Sequence, residues 1–279
     1  MELIYEILEK IPFSFLQYDF MKNALLAVLF LAPLFALLGT MAVNNNMAFF
    51  SDALGHSALT GIGIGTILGL KEPLLCMIAF GIFLSIAITK VKCADKLSSD
   101  SIISVFSSTA MALGIVILSQ QGGFAKYSYY LIGDILTITQ KDLYLIIVTL
   151  IICYIVWILL YNDLLLVSIN RSFAVSRGIN AVFTENIFVI LVAITVMISI
   201  KWLGILTINS LLILPAAAAR NISNNTKGYH VITMLITWIA CLGGLLFSYE
   251  CGTSAGASIV LVAAVIFFIT FFISANSTR

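Results

Sequence analysis

Apolar stretches of about 20 residues recur along this chain with few breaks, and that repetition leaves few folds open. Backbone N–H and C=O groups find no partner in hydrocarbon, so a segment crossing a bilayer must pair them within itself, as a helix, or in a closed barrel. Runs this long and this continuously apolar read as helices, near 21–43, 52–70, 73–89, 101–119, 143–161, 184–200, 202–219, 229–248 and 255–274. Eight or nine transmembrane helices are expected, with a joint near Lys201 and with Gln120 to Asp142 dipping into the membrane without crossing it. The fold class is an all-α polytopic membrane protein. No break is long enough for a second folded unit, so residues 1–279 form a single transmembrane domain. Membrane lipid is its surroundings.

Composition excludes several functions. Of the 279 residues 61% are hydrophobic and 10% charged, against about 25% charged in soluble domains. The net charge of +1 and the absence of a basic run give no reason to expect nucleic acid. Five scattered cysteines without C-x-x-C spacing suggest neither a disulfide framework nor a thiolate zinc site. The N-terminal residues 1–18 carry Glu2, Glu6 and Glu9 against Lys10, unlike a cleavable signal peptide, and their helical spacing of apolar residues suggests a short interfacial segment.

The most polar breaks, Lys90 to Asp100, Tyr161 to Glu185 and Arg220 to Lys227, hold seven of the 14 Lys and Arg (Lys90, Lys92, Lys96, Arg171, Arg177, Arg220 and Lys227). The positive-inside rule favours placing these breaks in the cytoplasm.

Within the second apolar run, Asp52 and His56 stand four positions apart, which puts carboxylate and imidazole on one helix face. Ionisable groups at membrane depth are costly and mark functional sites. Gly61, Gly65 and Gly69 follow at small-xxx-small spacing, which lets helix backbones approach closely. Spacing alone leaves two readings open: Asp52 caps the helix start, or the pair contacts a divalent cation. Imidazole suits zinc and carboxylate suits manganese too. Two ligands per chain leave the shell half built, and two copies meeting at this helix would supply four.

The segment Phe49 to Gly65 resembles the second-helix motif of permease subunits of bacterial ABC importers for zinc, manganese and iron, in which D-x-x-x-H precedes a glycine-rich helix. Tyr130 to Thr137, with Gly133-Asp134, is similar to that family's G-D segment. Leu211 to Arg220 (Leu-Leu-Ile-Leu-Pro-Ala-Ala-Ala-Ala-Arg) is similar to its L-P-A-A-x-A-R element, and Ala255 onward to the start of its last helix, with Ser254 in place of a frequent proline. The resemblance implies the ABC importer permease fold and a homodimer working with two cytoplasmic ATPase subunits. It also implies an extracytoplasmic metal-binding protein and Asp52 and His56 as metal contacts. Zinc is favoured because Thr60, not proline, precedes Gly61. The metal, Zn2+ or Mn2+, is cargo, and no permanently bound cofactor is expected.

No G-x-x-x-x-G-K-[ST] is present, so the chain is not expected to be an enzyme, and ATP hydrolysis belongs to a separate subunit. Ser168 to Asn180 is read as the cytoplasmic coupling helix. Its Ala174 and Gly178 match the family's A-x-x-x-G core, and Arg177 is placed near a helix C-terminus. Asp134 is read as a helix cap or an outer-side contact for the delivery protein, Pro215 as a bend, His230 as interfacial and Glu250 as a solvated loop residue. A proton-coupled secondary metal transporter is the alternative, weakened by the lack of a second acid-bearing broken helix. A metalloprotease would need a third protein ligand beyond the two histidines.

Overall fold

The computed structural model describes residues 18–70, 72–94, 98–120, 127 and 129–277. The interfacial segment expected for residues 1–18 lies, but for Tyr18, outside them. All of the regular structure among them is helical: α1 Asp19–Asn44, α2 Phe50–Ile67, α3 Leu74–Ala94, α4 Ser99–Gln120, α5 Tyr129–Ile132, α6 Gln140–Ile169, α7 Arg171–Ser176, α8 Ala181–Ile222, α9 Thr226–Cys251 and α10 Ala255–Ser277, with a 3-10 turn at Ile135–Thr137. Among the described residues, seven helices are long and apolar enough to cross a membrane, and α2 is not one of them.

At about 1.5 Å per residue the 42 residues of α8 would reach about 63 Å, twice a bilayer core of about 30 Å. The chain resolves this by turning back at Gly204, whose φ of 73° and ψ of 163° lie outside the helical region. Two ion pairs show the direction of the first half. Arg171 Nη2 lies 3.4 Å from Glu185 Oε2 at one end of the bundle, and Lys201 Nζ lies 3.9 Å from Asp142 Oδ1 at the other. Arg220 then returns beside Leu165 and Ser168, at the end where α8 began. The break falls at Gly204 and not at Lys201 because such a φ is open to glycine and strained for lysine.

The turn is a three-way junction. A side chain at Gly204 would overlap the backbone of Ile132, and one at Gly133 would overlap Gly204. Helix α5 and the 3-10 turn are thus docked against the α8 reversal. Asp134 caps that turn by accepting from Leu136 N at 3.0 Å, and Thr139 with Asp142 forms a capping box that starts α6.

Helix α8 is the hub, packed against α1, α2, α3, α5, α6, α9 and α10. In its most apolar stretch 78% of residues are buried, as are 72% in α1, against 22% in α6 and 28% in α10. The interior is therefore α1, α2 and α8, with α4, α6 and α10 at the rim.

Two expectations shift. Helix α6 does not end at Tyr161 but runs to Ile169, because Leu164 and Val167 continue its packed face beyond the polar Asn162 and Asp163. Glu250 sits in the last turn of α9, exposed, and not in a loop. Pro215 lies inside α8 with helical dihedrals, and the non-helical residue within α8 is Gly204.

Candidate functional site

Helix α2 is held on three sides by glycine contacts. A Cβ on Gly61 would stand 2.5 Å from Met77 Cα of α3, one on Gly65 2.8 Å from Pro73 Cβ, and one on Gly63 2.9 Å from Ile117 of α4. Gly55 does the same toward α8, 2.5 Å from an Ile205 methyl. Gly69 stands apart from the expected stripe. It follows the helix end with φ of 70° and has nothing within 4 Å of its Cβ position. The glycines that make the close approaches are Gly55, Gly61, Gly63 and Gly65.

The first two turns of the same helix carry the ionisable pair. His56 Nε2 lies 3.4 Å from Asp52 Oδ2, with side chains 28% and 43% exposed. The other carboxylate oxygen, Oδ1, accepts a hydrogen bond from Asn209 Nδ2 at 2.7 Å. Asp52 is therefore not a cap: α2 begins after Phe49, which makes no side-chain cap bond, and both carboxylate oxygens face side chains. His56 Nδ1 and Asn209 Oδ1 are buried without a partner among the described residues.

Asn209 is the residue that sequence reading missed. It lies five positions past Gly204, so the reversal of α8 is what carries it back to α2, 157 residues away in sequence. Its only local signal is the polar pair Asn209-Ser210 inside an apolar run. Chemically, a neutral amide donor steers the carboxylate without competing for its charge, leaving Asp52 and His56 as oxygen and nitrogen ligands for a divalent ion. Among the described residues no three His, Cys, Asp or Glu side chains gather into a closed metal site. Both side chains of the pair are partly exposed, and two such groups fill only part of a cation's coordination shell.

The region expected to meet a motor is built differently. Helix α7 is shorter than Ser168 to Asn180: Ser168 and Ile169 belong to α6, and Asn170 caps α7 by accepting from Phe173 N at 3.0 Å. Ala174 is fully buried against Val167 and Ala181, which pins the short helix to the bundle. Arg177 forms the C-cap and places its guanidinium 5.0 Å from the Phe173 ring centre. Gly178 adopts φ of 82° and donates to Val175 O at 2.9 Å, which ends the helix. The outer face of this element, with Phe173 and Val175, is exposed. Asp134 is exposed as well, beyond its capping role.

Comparison with known proteins covers nearly the whole chain. The profile of the ABC 3 transport family matches residues 17–274. The high-affinity zinc uptake system membrane protein ZnuB of Haemophilus influenzae is 30% identical over 91% of this chain and 98% of its own length. The manganese transport system membrane protein MntC of Listeria monocytogenes is 27% identical over 92% and 91%. The solved PsaBC complex of Streptococcus pneumoniae with Fab superposes with a TM-score of 0.81 at 27% identity, covering 98% of this chain and 96% of that one.

Proposed function

The chain belongs to the ABC 3 transport family, and on that footing we propose that Asp52 and His56 are metal contacts on the ion path of an ATP-driven importer for divalent transition metals. One observation carries this: an oxygen and a nitrogen ligand group, 3.4 Å apart, stand partly exposed on one face of a tightly packed helix. A second copy facing that side would add its own pair and bring the ligand number to four. A half-built site in each copy suits a carrier, since closure and release then follow the relative movement of the copies.

Zinc is the favoured cargo. Thr60 occupies the position before Gly61, and the zinc relative aligns at 30% identity against 27% for the manganese relative. The ligand set itself accepts either ion. The chain sits in the bacterial cytoplasmic membrane, with ATP hydrolysed by a separate subunit docked on α7, where Ala174, Arg177 and Gly178 shape the contact. An extracytoplasmic metal-binding protein delivers the ion to the opposite end, where Asp134 is exposed. A proton-coupled carrier is disfavoured because the broken helix α8 brings a neutral asparagine, not a second acid, to the pair.

In a strain that depends on this protein for metal, Asp52→Asn and His56→Ala should each abolish high-affinity uptake, measured as cell metal by mass spectrometry, while membrane levels stay normal. Wild-type uptake in both variants would sink the assignment.

A further inference from the structure

The ends of α1 and α6 and the start of α9 enclose two adjacent cavities unrelated to the metal path. One is polar, about 520 Å³, with Ser168, Arg220, Asn224 and Thr226 among its walls. The other, about 530 Å³, is an apolar groove further along the same three helices, walled by Pro33, Leu37, Leu150 and Met234. The consecutive residues Tyr229 and His230 line the first and second respectively.

Buried polar atoms lacking partners among the described residues cluster at the boundary. They are the Tyr229 hydroxyl, both His230 ring nitrogens and the Trp157 indole nitrogen. The Trp157 and His230 rings meet edge-on with centroids 5.4 Å apart, and Tyr229, 5% exposed, lies against the same imidazole at 5.8 Å. The Tyr229 hydroxyl, the Trp157 N–H and the one N–H of a neutral His230 ring are donors that, buried in this state, call for an acceptor. In the polar cavity, Arg220 pairs with no carboxylate among the described residues. The N-terminus of the 26-residue α9 opens there too. Asn225 Oδ1 takes the Gly228 amide, and the Thr226 and Lys227 amides have no partner among the described residues. Cation and amides together select an anion with several oxygens.

The two halves fit one molecule. The apolar groove faces a hydrocarbon solvent, so its filler is an acyl chain. The boundary donors match ester carbonyls, and the polar cavity matches a phosphate. From Leu150 to Ile169 the walls run about 28 Å along α6, room for one leaflet's acyl chain and headgroup. We propose that this composite cavity binds an anionic phospholipid, with its phosphate against Arg220 and the α9 N-terminus, its ester region at Tyr229, His230 and Trp157, and an acyl chain in the groove. The site requires a membrane-embedded chain and nothing of the metal path.

The full-length protein with Trp202→Phe and Trp238→Phe retains Trp157 as its single tryptophan. It is placed in phosphatidylcholine vesicles carrying rising fractions of either dibrominated phosphatidylglycerol or dibrominated phosphatidylcholine. Trp157 emission should be quenched at a lower fraction of the anionic lipid, and Arg220→Gln should weaken that preference about fivefold, the share of one basic contact, without altering quenching by phosphatidylcholine. Equal quenching by the two lipids, or an unchanged preference in Arg220→Gln, overturns the proposal. Native mass spectrometry of the unsubstituted protein should show a bound phospholipid mass that Arg220→Gln depletes, which decides the matter even if the tryptophan variant fails to fold. Inorganic phosphate binding with no retained lipid assigns the site to free phosphate and overturns it as well.

Discussion

Helices α2 and α6 are opposites. The stretch of α6 with a mean hydropathy of 2.9 is only 22% buried, whereas α2 falls short of a span by apolarity and yet is buried along most of its length. In a soluble protein that order would be reversed. In a bilayer the lipid tails are as apolar as leucine, so hydrophobicity drives no helix inward. What brings α2 to the centre is close backbone approach through Gly55, Gly61, Gly63 and Gly65. The weakly apolar helix is also the one that can hold an Asp and a His, because protein, not lipid, surrounds it.

The sharpest way to break this comparison is a paired substitution. Gly61→Leu should cost about 3 kcal/mol or more, because its side chain meets the Met77 backbone, which cannot swing aside. Leu159→Ala, on the lipid face of α6, should stay within about 0.5 kcal/mol. Thermal unfolding of the purified protein reads both, and equal costs would end the distinction. Next in size is Gly204→Ala, expected to lower stability by about 1–3 kcal/mol through strained dihedrals, with further loss from the overlap with Ile132. Asn209→Leu should lower stability by up to about 1.5–3 kcal/mol, the worth of a hydrogen bond to a charged group, and, at equal membrane level, reduce uptake about tenfold because Asp52 loses the donor that orients it. Uptake at the wild-type rate would make Asn209 a bystander. The most local effect is that of Gly178→Ala. Nothing lies within 4 Å of the new methyl, so the cost is the left-handed backbone, about 1–2 kcal/mol confined to the end of α7. If α7 is the docking element, recovery of the ATPase subunit with the protein should nonetheless fall.

Much of this organisation was legible in advance, and the errors have a common source. The positions of α1, α3, α4, α9 and α10 follow from apolar length, because a bilayer imposes it. The run of α6 past Tyr161 did not, since a helix extends beyond the membrane wherever it can pack, as Leu164 and Val167 do. Lys201 looked like a joint because it is charged, but a reversal needs a backbone conformation, and Gly204 supplies it. The cap reading of Asp52 was open from spacing and closed by geometry, once His56 and Asn209 were seen to face its two oxygens.

By itself the sequence determined that the chain lies in a membrane, that it crosses as helices, and that one helix carries a carboxylate and an imidazole one turn apart. These follow from local chemistry: hydrocarbon tolerates no unpaired backbone, and helical periodicity is written in consecutive residues. Only the tertiary structure decided that α8 doubles back, that Asn209 meets Asp52 across 157 residues, and that the pair stays partly exposed on a helix otherwise packed by protein. Contacts of that range depend on how glycine-lined surfaces fit together, and shape complementarity between distant segments has no period along the chain.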